Sequence, residues 1–239
     1  MIDVHDRRPL PYHTALVVGT GPGISASLVH ALTAAGLQVA AAARNTAKLA
    51  PLAQATGAAL FAVDATDPAS VETLFSEVEA RIGVPEVVVY NASGRARGAI
   101  AELDPEEVRR AIEVSAFGGF LVTREAARRL IPLGKGAILL TGATASVKGF
   151  AGSSAFAIGK FGLRGLAQSA ARELAPQGIH VAHFVIDGSV RSAVRPDPAE
   201  HPDSTLDPDA IAQTYLSVLA QPRNAWTWEI ELRPWVERF

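Results

Sequence analysis

Gly19, Gly21 and Gly23 fall within five residues, directly after the apolar run Ala15-Leu16-Val17-Val18 and just ahead of an Ala/Leu-rich stretch at 25–35. A turn without β-carbons lets the backbone come close to a ligand. The free N–H groups of a helix start favour an anion there, so the spacing points to a phosphate held by Gly19, Gly21, Gly23 and Ile24. Three glycines can equally make a plain turn. What favours a dinucleotide is the next strand, at 38–43, which arrives after a single helix and completes a βαβ unit. The six histidines show no close pairing and the chain has no cysteine, so neither a metal nor thiol chemistry is expected.

The elements that must carry this turn alternate along the chain. Apolar strands are predicted at 14–19, 37–43, 58–63, 86–90, 135–141, 179–185 and 227–232, and helices at 24–35, 45–55, 68–81, 105–131, 152–175 and 207–220. Asp67-Pro68, Asp104-Pro105 and Asp207-Pro208 each read as an N-cap followed by a proline at the first helical position. The rhythm predicts an α/β fold: a Rossmann-like, doubly wound, parallel seven-stranded sheet with helices on both faces. With 239 residues it forms a single domain over 14–239, preceded by an N-terminal extension at 1–13. The Pro-, Asp- and Ser-rich stretch at 188–206 reads as a substrate lid or as a disordered loop.

Composition narrows the partners. A net charge of −2 with 19 % charged residues gives no basic footprint for nucleic acid, which leaves a small-molecule ligand. The polar N-terminus lacks the apolar core of a signal peptide, and no run approaches the ~20 apolar residues of a bilayer span, so a cytoplasmic protein without a membrane partner is expected.

Taken in order, the motifs resemble the short-chain dehydrogenase/reductase family over nearly the whole chain. Gly19, Gly21 and Gly23 look like its glycine-rich turn, although Ser25 stands at its usual last glycine and Val18 at its usual threonine. Asp64, followed by Ala65, is similar to the aspartate that hydrogen-bonds adenine. Asn91-Ala92-Ser93-Gly94 looks like the family's N-A-G motif with one residue inserted or substituted. Lys160 stands where the Y-x-x-x-K helix has its lysine.

The resemblance breaks at the chemistry. The family's tyrosine position is Phe156, the serine thirteen residues earlier is Ala143, and the usual asparagine of the central helix is Ser115. A phenyl ring has no exchangeable proton. Of the four catalytic positions only Lys160 is kept, a residue that in the family also binds the nicotinamide ribose.

If a proton source persists, Ser146 and Asp187 are the candidates. Ser146 lies with Thr144 and Lys148 after the fifth predicted strand, and reads equally well as a turn serine. Asp187 replaces part of a usual Pro-Gly pair beside the nicotinamide carboxamide, and reads equally well as a turn cap. Tyr90 is the tyrosine nearest the cleft in sequence, unless strand alternation buries it. Arg95 and Arg97 either recognise an anionic substrate or face solvent. Arg44 closes the second strand where an acidic residue would repel a 2′-phosphate, which favours NADP(H) over NAD(H).

Two function classes stay open. One is an NADP(H)-dependent oxidoreductase acting on an activated C=C or C=N bond, as in the 2,4-dienoyl-CoA reductases, which keep the lysine without the tyrosine. The other is a redox-silent or non-redox protein on the same fold. The small residues of the 152–175 helix and the aromatic C-terminus (Trp226, Trp228, Trp235, Phe239), together with the family's habit of pairing its long helices, imply a homodimer or homotetramer.

Overall fold

The structure is a computed structural model and describes residues 9–192 and 195–237. The sheet is built of β1 (Thr14–Val18), β2 (Gln38–Ala43), β3 (Ala59–Ala62), β4 (Val87–Tyr90), β5 (Gly136–Thr141), β6 (Ile179–Ile186) and β7 (Glu229–Leu232). These lie in the order β3-β2-β1-β4-β5-β6-β7, and every pairing is parallel. The helices are α1 (Ile24–Ala34), α2 (Ala50–Thr56), α3 (Pro68–Ile82), α4 (Pro105–Ile112), α5 (Gly118–Leu130), α6 (Ser154–Leu174) and α7 (Pro208–Leu219).

Each central strand feeds two cores because successive side chains point to opposite faces. From β1, Leu16 and Val18 join Phe75, Leu121 and Leu163 under α3, α5 and α6. Ala15 and Val17 join Leu28, Leu32 and Tyr215 under α1 and α7. Burial on both faces explains why β1, β4 and β5 are continuously apolar. The capping aspartates act as expected: the carboxylates of Asp67, Asp104 and Asp207 accept from the backbone N–H two residues on, and each is followed by a proline.

The order reverses at β1, which pairs with β2 on one side and β4 on the other. That opens the crevice where doubly wound sheets take ligands. Its two walls are stitched to β1 directly: Gly19 N–H donates to Ala42 O at 3.0 Å and Asn91 N–H to Val18 O at 2.9 Å.

Three expected elements differ in detail. The 105–131 helix is interrupted by a π-helical turn, Glu113–Phe117, between α4 and α5. The 45–55 helix begins late: the Asn45 side chain accepts from Ala47 N–H, and a short 3₁₀ turn precedes α2. The described part of 188–206 forms no regular element but is cross-braced. Arg191 pairs with Asp207 at 2.6 Å and Asp197 at 3.6 Å, and Val190 and Leu206 form an isolated bridge. Of the N-terminal extension, residues 1–8 lie outside the described residues. Within the rest, Tyr12 is buried and His13 N–H donates to Glu86 Oε2 at 2.6 Å. Among the described residues no helix is long and apolar enough to cross a membrane.

Candidate functional site

A cleft of about 580 Å³ opens at the switch point, lined among others by Gly19, Thr20, Arg44, Asp64, Ala65 and Asn91. Gly19 has φ +85°, and a β-carbon there would lie 2.4 Å from the backbone nitrogen of Ala92, so no side chain fits between the two strand ends. Gly21 is different: a β-carbon on it meets no protein atom within 4 Å. Its lack of a side chain leaves open space along the turn rather than relieving a clash.

The turn leads into α1, whose N-cap is Gly23 and whose first turn, starting at Ile24, carries no side-chain cap and no acidic residue. Its leading N–H groups are thus left for an anion. Asn91 Nδ2 donates to Ser25 Oγ at 2.6 Å, and Ser25 Oγ donates to Gly19 O at 3.0 Å. Ser25, at the family's usual last glycine, therefore ties the turn to the end of β4.

Asp64 Oδ1 accepts from both the backbone and the hydroxyl of Thr66, at 2.9 and 2.7 Å. Those two bonds hold its carboxyl below the usual carboxylate range, with a smaller contribution from Arg44. The residues fit a dinucleotide: an open glycine turn, an uncapped helix start, an ionised acceptor at the end of β3 and a guanidinium at the end of β2.

The other half of the site is built by α6. Phe156, Lys160 and Arg164 are spaced four apart and so share a helix face. Lys160 is 3 % exposed, and its Nζ donates to Thr141 O at 2.6 Å. Burial, with Arg95 as a secondary cause, pulls its pKa down to about 7. The Phe156 ring has cations around it: Arg95 Cζ lies 4.1 Å from its centroid and Lys160 Nζ 5.9 Å.

Ser115 sits in the π-helical turn, where its Oγ accepts from Gly94 N–H at 3.0 Å. A β-carbon at Gly159 would lie 2.6 Å from that of Ser115. The loop after β4, the π turn and α6 are therefore packed backbone to backbone.

Ser146 is fully buried, and its Oγ accepts from Ala143 N–H at 3.1 Å within its own turn. Asp187 is 2 % exposed and pairs with Arg233 at 3.1 Å. The Tyr90 hydroxyl is sequestered, donating to Val114 O, and burial pushes its pKa above the usual phenol value. The structure thus gathers Lys160 and Phe156 with Arg95, whereas Ser146, Asp187 and Tyr90 are bound into the scaffold.

One buried cluster escaped the sequence reading. Glu229 accepts from Arg164 Nε and Nη2 at 2.6 and 2.7 Å, and the same carboxylate meets His183 Nδ1 at 3.0 Å. His183 Nε2 has no partner among the described residues. Burial drives the imidazole down to about 4, against the pull of Glu229. The two histidines, His180 and His183, in an otherwise apolar β6 were the available signal. The partner of His183 on β7 was not, because Glu229 becomes adjacent only once the sheet forms.

A doubly wound parallel sheet with a glycine turn at its switch point places the chain among the nucleotide-binding class of α/β folds. The family profile described as short chain dehydrogenase matches residues 13–200. The L-2,3-butanediol dehydrogenase of Corynebacterium glutamicum is 32 % identical over 185 residues, covering 74 % of this chain and 71 % of that protein. Among solved structures, a short-chain dehydrogenase from Rhodopseudomonas palustris is 36 % identical, with a TM-score of 0.80 over 93 % of this chain and 99 % of its own. An alcohol dehydrogenase from the archaeon Thermococcus sibiricus, complexed with 5-hydroxy-NADP, is 25 % identical, with a TM-score of 0.83 over 95 % and 98 % of the two chains. The chain belongs to the short-chain dehydrogenase/reductase family of oxidoreductases.

Proposed function

We propose that the protein is an NADP(H)-dependent reductase of small molecules that acts on an activated C=C or C=N bond. The observation that carries this reading is the pairing of Phe156 with a buried Lys160: the family's phenol is gone while the lysine keeps its place, its Nζ on Thr141 O. Reduction of a ketone builds an alkoxide. Loss of one oxyanion donor in an enzyme costs about 3–4 kcal/mol, and here Phe156 and Ala143 remove two. A conjugated alkene or an iminium delocalises the developing charge or starts out positive, and so asks less of the protein.

Gly19, Gly21, Gly23, Ile24, Asp64, Ala65, Asn91 and Lys160 would hold the dinucleotide, with Arg44 forming a charge-assisted bond to a 2′-phosphate. NADPH held by these residues would supply the hydride, two electrons, and leave as NADP⁺. Lys160 is the proton donor in this reading: its ammonium gives a proton to the other atom of a C=C bond and takes one back from water. A preprotonated C=N bond needs no proton. Ser146 and Asp187 act as frame in this reading, fixing the turn after β5 and the segment after β7. The described part of 188–206, braced through Arg191, follows the carboxyl end of β6 and serves as the substrate lid in this reading.

NADP⁺ binding in known relatives, such as the archaeal dehydrogenase with its NADP derivative, agrees with the cofactor assignment. The test is a substrate screen by NADPH absorbance, with enones, cyclic imines and simple ketones side by side, alongside calorimetric titration of NADP⁺ and NAD⁺. Turnover of enones or imines with little ketone reduction is expected. Absence of nucleotide binding would overturn the reading.

The same reading includes a homodimer or homotetramer. Phe117, Phe120, Ile158 and Phe161 are exposed on the π turn, α5 and α6, an apolar face suited to a second copy. The Phe239 part of the aromatic C-terminus lies outside the described residues. Light scattering is expected to give a dimer or tetramer mass at micromolar concentration.

A further inference from the structure

We infer that the ligand of the reacting half carries an anionic group, a carboxylate or a phosphate, held at its mouth by Arg95, Arg97 and Arg195. The inference rests on the reductase reading only in calling that ligand the substrate.

Arg95 and Arg97 flank Ala96, which is buried and packs with Ala111 of α4 and Ala155 of α6. That anchor turns the two arginines outward from the loop after β4, and both are exposed. Arg195 comes from the other wall, the loop after β6, where a pair of backbone hydrogen bonds with Ser192, each 3.0 Å, holds its backbone. Both loops leave the carboxyl ends of strands, the edge at which doubly wound sheets bind ligands. Arg95 Cζ also lies over the Phe156 ring, 4.1 Å from its centroid, and Phe156 stands one helical turn before Lys160.

Among the described residues none of the three guanidinium groups forms an ion pair. Three acidic side chains that follow β6 have other partners. Asp197 and Asp207 are taken by Arg191, and Asp187 by Arg233. The arginines instead act on one another: burial, then the charges of Arg97 and Arg195, pull the Arg95 guanidinium below its usual value. Gathering like charges with no counter-ion is unfavourable unless an anion completes the cluster, and the planar fork of arginine suits a carboxylate or phosphate.

The cluster is separate from the nucleotide's own anion sites. Arg44 lines the dinucleotide cleft, and none of Arg95, Arg97 and Arg195 does.

The test is calorimetric titration of the full-length protein saturated with NADP⁺, using malonate, inorganic phosphate and uncharged malonamide as probes. Malonate or phosphate is expected to bind saturably and malonamide not at all, and the preferred anion tells carboxylate from phosphate. Each of Arg95→Gln, Arg97→Gln and Arg195→Gln is expected to weaken anion binding about tenfold, as for loss of a charge-assisted contact. The triple variant should abolish it while NADP⁺ affinity stays unchanged. Equal anion affinity in the triple variant, equal binding of malonamide, no anion binding by the unmodified protein, or a parallel loss of NADP⁺ affinity would each overturn the inference. Failure of the unmodified protein to bind NADP⁺ strikes the reductase reading instead. The same anion titrations on nucleotide-free protein then still decide for or against the arginine site.

Discussion

The two halves of the candidate site are built by different means. The glycine turn is shaped by backbone: Gly19 is wedged so tightly against Ala92 that a β-carbon would lie 2.4 Å from its nitrogen, and the Asn91–Ser25–Gly19 chain of hydrogen bonds locks the two walls together. The reacting half is shaped by side chains laid on a frame that does not depend on them. Phe156 and Ala143 occupy their positions with the helix and the strand end intact, and Lys160 is held by a backbone carbonyl rather than by a partner side chain. Backbone geometry tolerates few substitutions, whereas chemistry carried by side chains can be exchanged without disturbing the fold.

The largest expected effect follows from the wedge. Gly19→Val places a branched side chain at φ +85° against the Ala92 backbone. Strain and overpacking together are expected to cost about 2–5 kcal/mol, read as a large drop in the denaturation midpoint. A midpoint close to that of the unmodified protein would show that the turn is pliable, and the contrast would fail.

Next comes an exchange within the reacting half. Phe156→Tyr combined with Ala143→Ser restores a phenol beside Lys160 and a hydroxyl at the end of β5. Ketone reduction is expected to appear or rise by at least about a hundredfold, as for regaining oxyanion donors, with stability nearly unchanged. Efficient ketone reduction by the unmodified protein, insensitive to both changes, would mean that the proton source lies elsewhere.

Smaller effects belong to the nucleotide half. Arg44→Asp is expected to invert the preference from NADP⁺ to NAD⁺, with a shift on the order of tenfold to a hundredfold, since a charge-assisted bond becomes a like-charge repulsion. Gly21→Ala should leave the denaturation midpoint within a degree or two, since the new methyl group meets no protein atom within 4 Å. Its nucleotide affinity should nevertheless fall several-fold, and comparison with Gly19→Val separates packing from ligand space.

The remaining effects are read through pH. Lys160 has its pKa lowered to about 7, so reduction of a C=C bond, which needs the ammonium, should decline as pH rises through about 7. His183 titrates near 4 in the folded protein against 6.5 for a free imidazole. Between those values the unfolded chain binds the extra proton, so stability is present above pH 6.5 and is lost as pH falls toward 4. The loss is on the order of 3 kcal/mol. His183→Phe, which cannot protonate, should flatten that part of a denaturation-midpoint profile, and an unchanged slope would count against the assignment.

The architecture was legible in the sequence because its signals are local. Apolar runs, aspartate–proline helix starts and the glycine turn each act over a few residues, and together they specify a parallel sheet and its switch point. The reading of Phe156 and Ala143 as standing at the family's tyrosine and serine positions rests on counted spacings along the chain to Lys160, and that of Ser115 on its place in the predicted central helix. The π-helical turn in the central helix left no such mark, because it answers to Gly94 and Gly159 packing on Ser115 from other parts of the chain.

Contacts between distant elements were decided only by the tertiary structure. Asp187 read as either a proton source or a turn cap, and its partner Arg233 comes beside it only through β7. Ser146 read as either a shifted donor or a turn serine, and its bond from Ala143 N–H sets it in the turn after β5. Arg95 read as either solvent-facing or substrate-binding until α6 slid Phe156 beneath it. The sequence by itself determined which groups exist and which local elements bear them. Whether a buried charge is paired, and what a guanidinium lies against, depends on residues dozens of positions apart meeting across a packed core, and only the fold sets those distances.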